Sequence, residues 1–134
     1  MTKKELKGVL INVGNGTAKV HTITLDDENG GYLDEIHSAL DCECFTIAER
    51  KFSGEYLDIY LDDMGLYKPY TKPSVAVFDG DELVETIYGN VFICSANSVG
   101  ESVSLNERQI IAVLQSLGLI DWDGEYRLAA RAEL

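Results

Sequence analysis

The chain has 134 residues, 46% of them hydrophobic, with 11 basic and 23 acidic side chains and a formal charge of −12. That length and apolar share fit a single domain over residues 1–134 with one core, and exclude a disordered chain. The charge excludes direct nucleic-acid binding and attraction to an anionic membrane surface, and no segment approaches the roughly 20 apolar residues of a membrane span.

Met1–Lys7 leads into a short strand-like stretch with none of the apolar length of a signal segment. Leu6–Val13 reads as a strand with Val9, Ile11 and Val13 on one side. Gly14-Asn15-Gly16-Thr17 turns it into a returning strand over Ala18–Leu25, because Asn-Gly tolerates the positive φ of a tight hairpin. A polar loop, 26–31, opens a helix whose apolar face is Leu33, Ile36 and Leu40. Cys42–Ala48 alternates as a strand, with Phe45 and Ile47 on one face, and Ser53-Gly54 marks a turn. Tyr56–Asp62 is the clearest strand: Leu57, Ile59 and Leu61 face in, and Tyr56, Asp58, Tyr60 and Asp62 face out.

Residues 63–73 form a long irregular loop with two prolines, the kind of segment that often carries function. Ser74–Phe78, Leu83–Tyr88 and the apolar run Val91–Ala96 are further strands, the first two separated by an Asp79–Glu82 turn. Ser104 with Glu107 gives a capping box for a second helix, its buried stripe formed by Ile110, Ile111, Leu114 and Leu117 and its stop at Gly118. Beyond it, Gly124–Leu128 reads as an edge strand and Ala129–Leu134 as a helical turn or frayed end, with a mobile tail from about residue 121. Strands and helices that do not alternate define an α+β fold: a mixed, mainly antiparallel sheet of about five to seven strands packed with two helices.

No catalytic motif appears, and no cofactor or metal site is expected. Cys42, Cys44 and Cys94 lack zinc-binding spacings and read as structural thiols in a reduced, cytoplasmic setting. No G-x-S-x-G elbow is present, and His37 sits at the margin of a helix face. The carboxylate pairs are too many for any one to signal acid–base work, which needs convergence in a pocket.

The charge map is more specific. From Val20 to Glu49, and again from Pro73 to Glu107, there is no Lys or Arg. Asp26, Asp27, Glu28, Asp34, Glu35, Asp62, Asp63, Asp79, Asp81, Glu82 and Glu85 are therefore the candidate partner-binding residues, suited to a basic protein surface. The alternative is a small-ligand site for a nucleotide or metabolite, in which Tyr60, Tyr67, Lys68 and Tyr70 stack on and neutralise an anion.

Gly30-Gly31-Tyr32-Leu33, Asp58-Ile59-Tyr60-Leu61-Asp62-Asp63-Met64-Gly65-Leu66, Gly89-Asn90-Val91-Phe92-Ile93 and Ser104-Leu105-Asn106-Glu107 occur in this order. Together they resemble a family of small proteins of unknown function found in phages, plasmids and conjugative elements, mostly of Gram-positive bacteria. The resemblance spans roughly residues 8–117 and departs from the family pattern at Lys68–Pro73, where a Pro-Leu-Asn-like element is usual. It implies an accessory protein of a mobile element acting in the host cytoplasm. By analogy with other small acidic proteins of such elements, it implies a non-enzymatic inhibitor of a host defence or nucleic-acid-processing complex that works by nucleic-acid mimicry. No site residue follows from it.

Overall fold

The computed structural model describes residues 4–25, 31–42, 44–63, 72–122 and 124–134. The elements run β1 (Lys4–Asn12), β2 (Thr17–Leu25), α1 (Gly31–Leu40), β3 (Phe45–Phe52), β4 (Glu55–Asp62), β5 (Pro73–Asp79), β6 (Glu82–Tyr88), β7 (Val91–Ala96), β8 (Ser102–Val103), α2 (Glu107–Gln115), β9 (Leu117–Trp122) and β10 (Glu125–Glu133). The fold is α+β, a mixed and mostly antiparallel sheet of ten strands with two helices. The strand count exceeds the five to seven expected, because short β8 and the two C-terminal strands β9 and β10 join the sheet.

The main path of the sheet is β2-β1-β7-β4-β3-β10-β5-β6, with β8 on β7 and β9 on β10. Three hairpins fix most of the register. Asn12 pairs with Thr17 around the Gly14-Asn15-Gly16 turn, and Asn12 Oδ1 accepts from the Asn15 amide at 3.1 Å. Phe52 pairs with Glu55 around Ser53-Gly54, both at positive φ, as a two-residue hairpin of the mirror-image type requires. Asp79 pairs with Glu82 around Gly80-Asp81, with Gly80 at φ +63°. Among the described residues, only β10 with β5 is parallel, from Ala130–Val75 to Glu133–Phe78.

Side-chain alternation divides the apolar residues between two cores. One joins Val9 and Ile11, Leu57 and Ile59, and Val91 and Ile93 to Val75, Val77, Ala130 and Ala132, and is closed by Val113 of α2. Strands far apart in sheet order share this core, so the sheet curls over itself. The other lies under α1, where Ile36 and Leu40 meet Leu6, Leu10, Ile23, Tyr60, Phe92 and Cys94. β7 is buried from Val91 to Ser95 because it faces both cores.

Helix ends depart from the expected ones for identifiable reasons. α1 stops at a Schellman-type motif with Asp41 at φ +53°, Asp41 and Cys42 amides donating to Ser38 and His37 carbonyls. α2 is capped by Asn106 with Gln109, not Ser104 with Glu107. The Ser104 hydroxyl is instead engaged by β1, accepting from the Lys7 amide and donating to the Glu5 carbonyl. α2 buries Ala112 and Val113 and leaves Ile111 and Leu114 exposed, so the stripe lies about one position from the expected one. Gly118 ends no helix; it lies in β9, and the helix ends at Ser116. Ala129–Glu133, expected as a helical turn or frayed end, is strand, with Ala130 and Ala132 fully buried.

Gly8 marks the tightest crossing. A Cβ there would lie 2.3 Å from the Ile93 carbonyl oxygen and 2.6 Å from the Phe92 ring. Phe92 covers this glycine and reaches His21, the cross-strand partner of Gly8, edge to face at 6.2 Å. Gly8→Ala is expected to destabilise the protein by about 3 kcal/mol in urea unfolding, since the obstructing atom is backbone. Gly118→Ala, with nothing within 4 Å of its Cβ, is expected to be within about 0.5 kcal/mol of wild type.

Candidate functional site

The candidate carboxylates fall into separate groups. Asp79, Asp81 and Glu82 stand exposed on the β5–β6 hairpin tip, with no ion pair among the described residues. The tip is held from beneath by β10: the Arg131 guanidinium lies 3.7 Å over the Phe78 ring and donates to the Gly80 carbonyl at 3.3 Å. The Leu134 amide donates to the Phe78 carbonyl. Three carboxylates are thus carried on a two-residue turn with a braced base.

Glu85 points the other way, toward the curl of the sheet. Arg50 of β3 donates to it from Nε at 3.1 Å and from Nη2 at 2.8 and 2.9 Å, tying β3 to β6. Glu85 therefore acts as a clasp across the cleft that also contains Asp62 and Asp63. Asp62 is buried at the end of β4, while Asp63 is exposed and its amide donates to the Cys44 carbonyl. The cleft that holds the Asp62–Asp63 pair takes its β6 lining from Glu85–Tyr88 and does not include the tip residues Asp79, Asp81 and Glu82. Glu35 is exposed on α1, where its carboxylate accepts from the Thr24 amide at 2.7 Å. Asp34 also lies in α1. Asp26, Asp27 and Glu28 lie outside the described residues.

The ligand-stacking set is only partly described. Tyr67, Lys68 and Tyr70 lie outside the described residues. Tyr60, expected to face out, is 4% exposed in the core beneath α1. It stacks on Phe45 at 5.5 Å, meets Phe92 at 6.3 Å, and shares a hydrogen bond between its hydroxyl and Ser102. The alternation of β4 is real, but both of its faces are covered.

Cys94 is buried next to Asp58 in the β4–β7 ladder. Burial, then the Asp58 charge, push its thiol up to about 12, against a smaller opposing effect of a Ser102 hydrogen bond. It stays a neutral thiol, not a nucleophile. Cys42 and Cys44 precede β3, which begins at Phe45 and not at Cys42 as expected. Among the described residues, no three His, Cys, Asp or Glu side chains form a metal-binding group, and no helix is long and apolar enough to cross a membrane.

One acidic feature went unread in the sequence. Glu49 and Asp58 sit directly opposite each other on β3 and β4. Burial, then the Glu49 charge, raise the Asp58 carboxyl above its usual range. The pair was recoverable from the Ser53-Gly54 turn, since a two-residue loop fixes every partner in the hairpin.

Residues 6–118 match the family described as a domain of unknown function, DUF3846, and the chain belongs to it. No curated protein and no solved structure matches the chain. The matched region ends within β9, so β10, a neighbour of β3 and β5 in the sheet, lies beyond it.

Because the folded Asp58 carboxyl holds its proton more tightly than the unfolded one, stability attributable to it is greatest below the unfolded pKa. That stability falls as pH rises through the raised folded value. Asp58→Asn is expected to remove this dependence and to stabilise the protein at neutral pH by about 0.5 kcal/mol, as relief of a like-charge cross-strand pair. Urea unfolding at acidic and neutral pH checks both points.

Proposed function

We propose that this protein is a non-enzymatic binding protein that docks through surface carboxylates on the basic surface of a protein partner. Its setting in this reading is the host-cell cytoplasm, as an accessory protein of a phage or other mobile element. Its role there is to inhibit a host defence or nucleic-acid-processing complex by occupying a groove that otherwise holds nucleic acid. The observation that carries the reading is the β5–β6 tip, where Asp79, Asp81 and Glu82 are exposed and carry no ion pair among the described residues. A formal charge of −12 supports it, because such a field steers a basic partner toward the protein and repels nucleic acid itself.

A braced turn suits this role. The turn that carries the carboxylates is already held in position, so its backbone loses little freedom on docking and more of the charge attraction appears as affinity. Glu85 and Glu35 contribute to the field but are already engaged, by Arg50 and by the Thr24 amide.

The test is affinity capture from the native host with the wild-type chain and with the Asp79→Asn, Asp81→Asn, Glu82→Gln triple variant. The substituted side chains are exposed, so the fold should be retained. The wild type is expected to capture a basic partner, and the variant to bind it at least about tenfold more weakly, mainly through slower association. Equal binding by the two chains would exclude the tip as the docking element.

A further inference from the structure

We propose that the outer edge of β2 is a dimerisation surface, where β2 of a second copy of this chain adds antiparallel about a two-fold axis at Val20. This goes beyond the docking role and uses none of the tip residues.

The backbone supplies the first argument. β2 ends the main path of the sheet, with β1 on one side and no strand on the other among the described residues. In an antiparallel edge strand, alternate residues turn their N–H and C=O groups away from the neighbour. Thr24 shows which ones these are, because its amide turns from β1 to the Glu35 carboxylate, 2.7 Å away. By the same alternation Ala18, Val20 and Thr22 face outward. Among the described residues their outward groups meet no hydrogen-bond partner. Glu35 thus closes the edge at Thr24 and leaves the stretch from Ala18 to Thr22 open.

The edge is also unguarded and self-complementary. At the other end of the main path, β6 is protected: its pairing with β5 is broken between Val77 and Phe78, and it carries Glu82 and Glu85. β2 pairs with β1 without a break from Lys4–Leu25 to Asn12–Thr17, and has neither proline nor carboxylate. With the axis at Val20, Ala18 falls opposite Thr22 of the second copy, and the two strands exchange about six main-chain bonds. Val20, 44% exposed, then packs against Val20 of the second copy, beside Ala18, which already lies against the main core.

Charge selects the occupant. Within β1 and β2, Lys4, Lys7 and Lys19 stand against one carboxylate, Glu5, although the chain as a whole carries −12. A basic strand from another protein meets these lysines, and an acidic one is repelled by the rest of the chain. β2 of a second copy brings one lysine and no carboxylate. The antiparallel arrangement also separates the acidic ends. Glu5 and Glu35 both lie at Thr24, and the two copies of Thr24 are roughly 26 Å apart along the ladder, beyond the Debye length of about 8 Å at physiological salt. A parallel arrangement would place them side by side.

The experiment is sedimentation equilibrium of the full chain at about 0.05 and 0.5 M salt, paired with amide hydrogen exchange at low and high chain concentration. A monomer–dimer equilibrium is expected that tightens at the higher salt, because screening relieves repulsion between two chains of like charge. Docking on a basic partner has the opposite dependence, so the two readings fail separately. Exchange at Ala18, Val20 and Thr22 is expected to slow with concentration, while that at Thr24, already bonded to Glu35, stays constant. Val20→Pro removes an outward N–H that β1 does not use, and Val20→Glu sets two carboxylates face to face at an exposed position. Each is expected to weaken the dimer at least about tenfold. A chain that stays monomeric up to about 1 mM at the higher salt, a dimer without slowed exchange at these three amides, or a dimer that both variants leave unchanged would overturn the proposal. So would protection of these amides that appears only with a captured partner, which assigns the edge to another protein.

Discussion

The parallel ladder from Ala130–Val75 to Glu133–Phe78 joins what would otherwise be two sheets. On one side are β2, β1, β7, β4 and β3; on the other are β5 and β6. β10 touches the first set through Glu133–Lys51 and the second through four residue pairs. Ala130 and Ala132 are small enough to let Val75, Val77 and Val113 close over them, and all five are fully buried. Fully burying one valine is worth about 1.5–3 kcal/mol, so the core at this junction depends on a strand beyond the family-matched residues. The same strand braces the acidic tip through Arg131.

Charge is distributed on this scaffold in a consistent way. Some surface carboxylates have partners within the fold: Glu85 has Arg50, and Glu35 has a backbone amide. Carboxylates at the β5–β6 tip are turned to solvent and have none among the described residues. Burial raises the Asp58 carboxyl and the opposed Glu49 charge adds to it; burial likewise raises the Cys94 thiol and the Asp58 charge adds to that. Sequence charge alone cannot separate these cases, because each depends on which face of a strand the residue takes.

The hairpins were legible because their turn residues have few alternatives. Asn-Gly, Ser-Gly and Asp-Gly-Asp gave β1–β2, β3–β4 and β5–β6, and the apolar run Val91–Ala96 gave β7. Ser104 and Asn106 both have a capping partner three residues on, and only the contact of Ser104 with β1 decides between them. Ala129, Ala130 and Ala132 favour helix by intrinsic preference, and tertiary pairing overrides it. Tyr60 and Asp62 follow a half-exposed pattern, yet α1 and its neighbours cover that face. Of the candidate site, the tip carboxylates could be named in advance. The brace beneath them could not, since Arg131 reaches Phe78 and Gly80 through a parallel register between segments more than fifty residues apart.

Docking through a braced acidic turn makes charge the main source of affinity, and screening is the most direct probe of that origin. The measurement is the dissociation constant of the complex between the full chain and its captured partner as ionic strength is raised. With a Debye length falling from about 30 Å at 0.01 M to about 8 Å at physiological salt, affinity is expected to drop steeply and continuously over that range. A dissociation constant that stays level across it would contradict docking through the acidic surface.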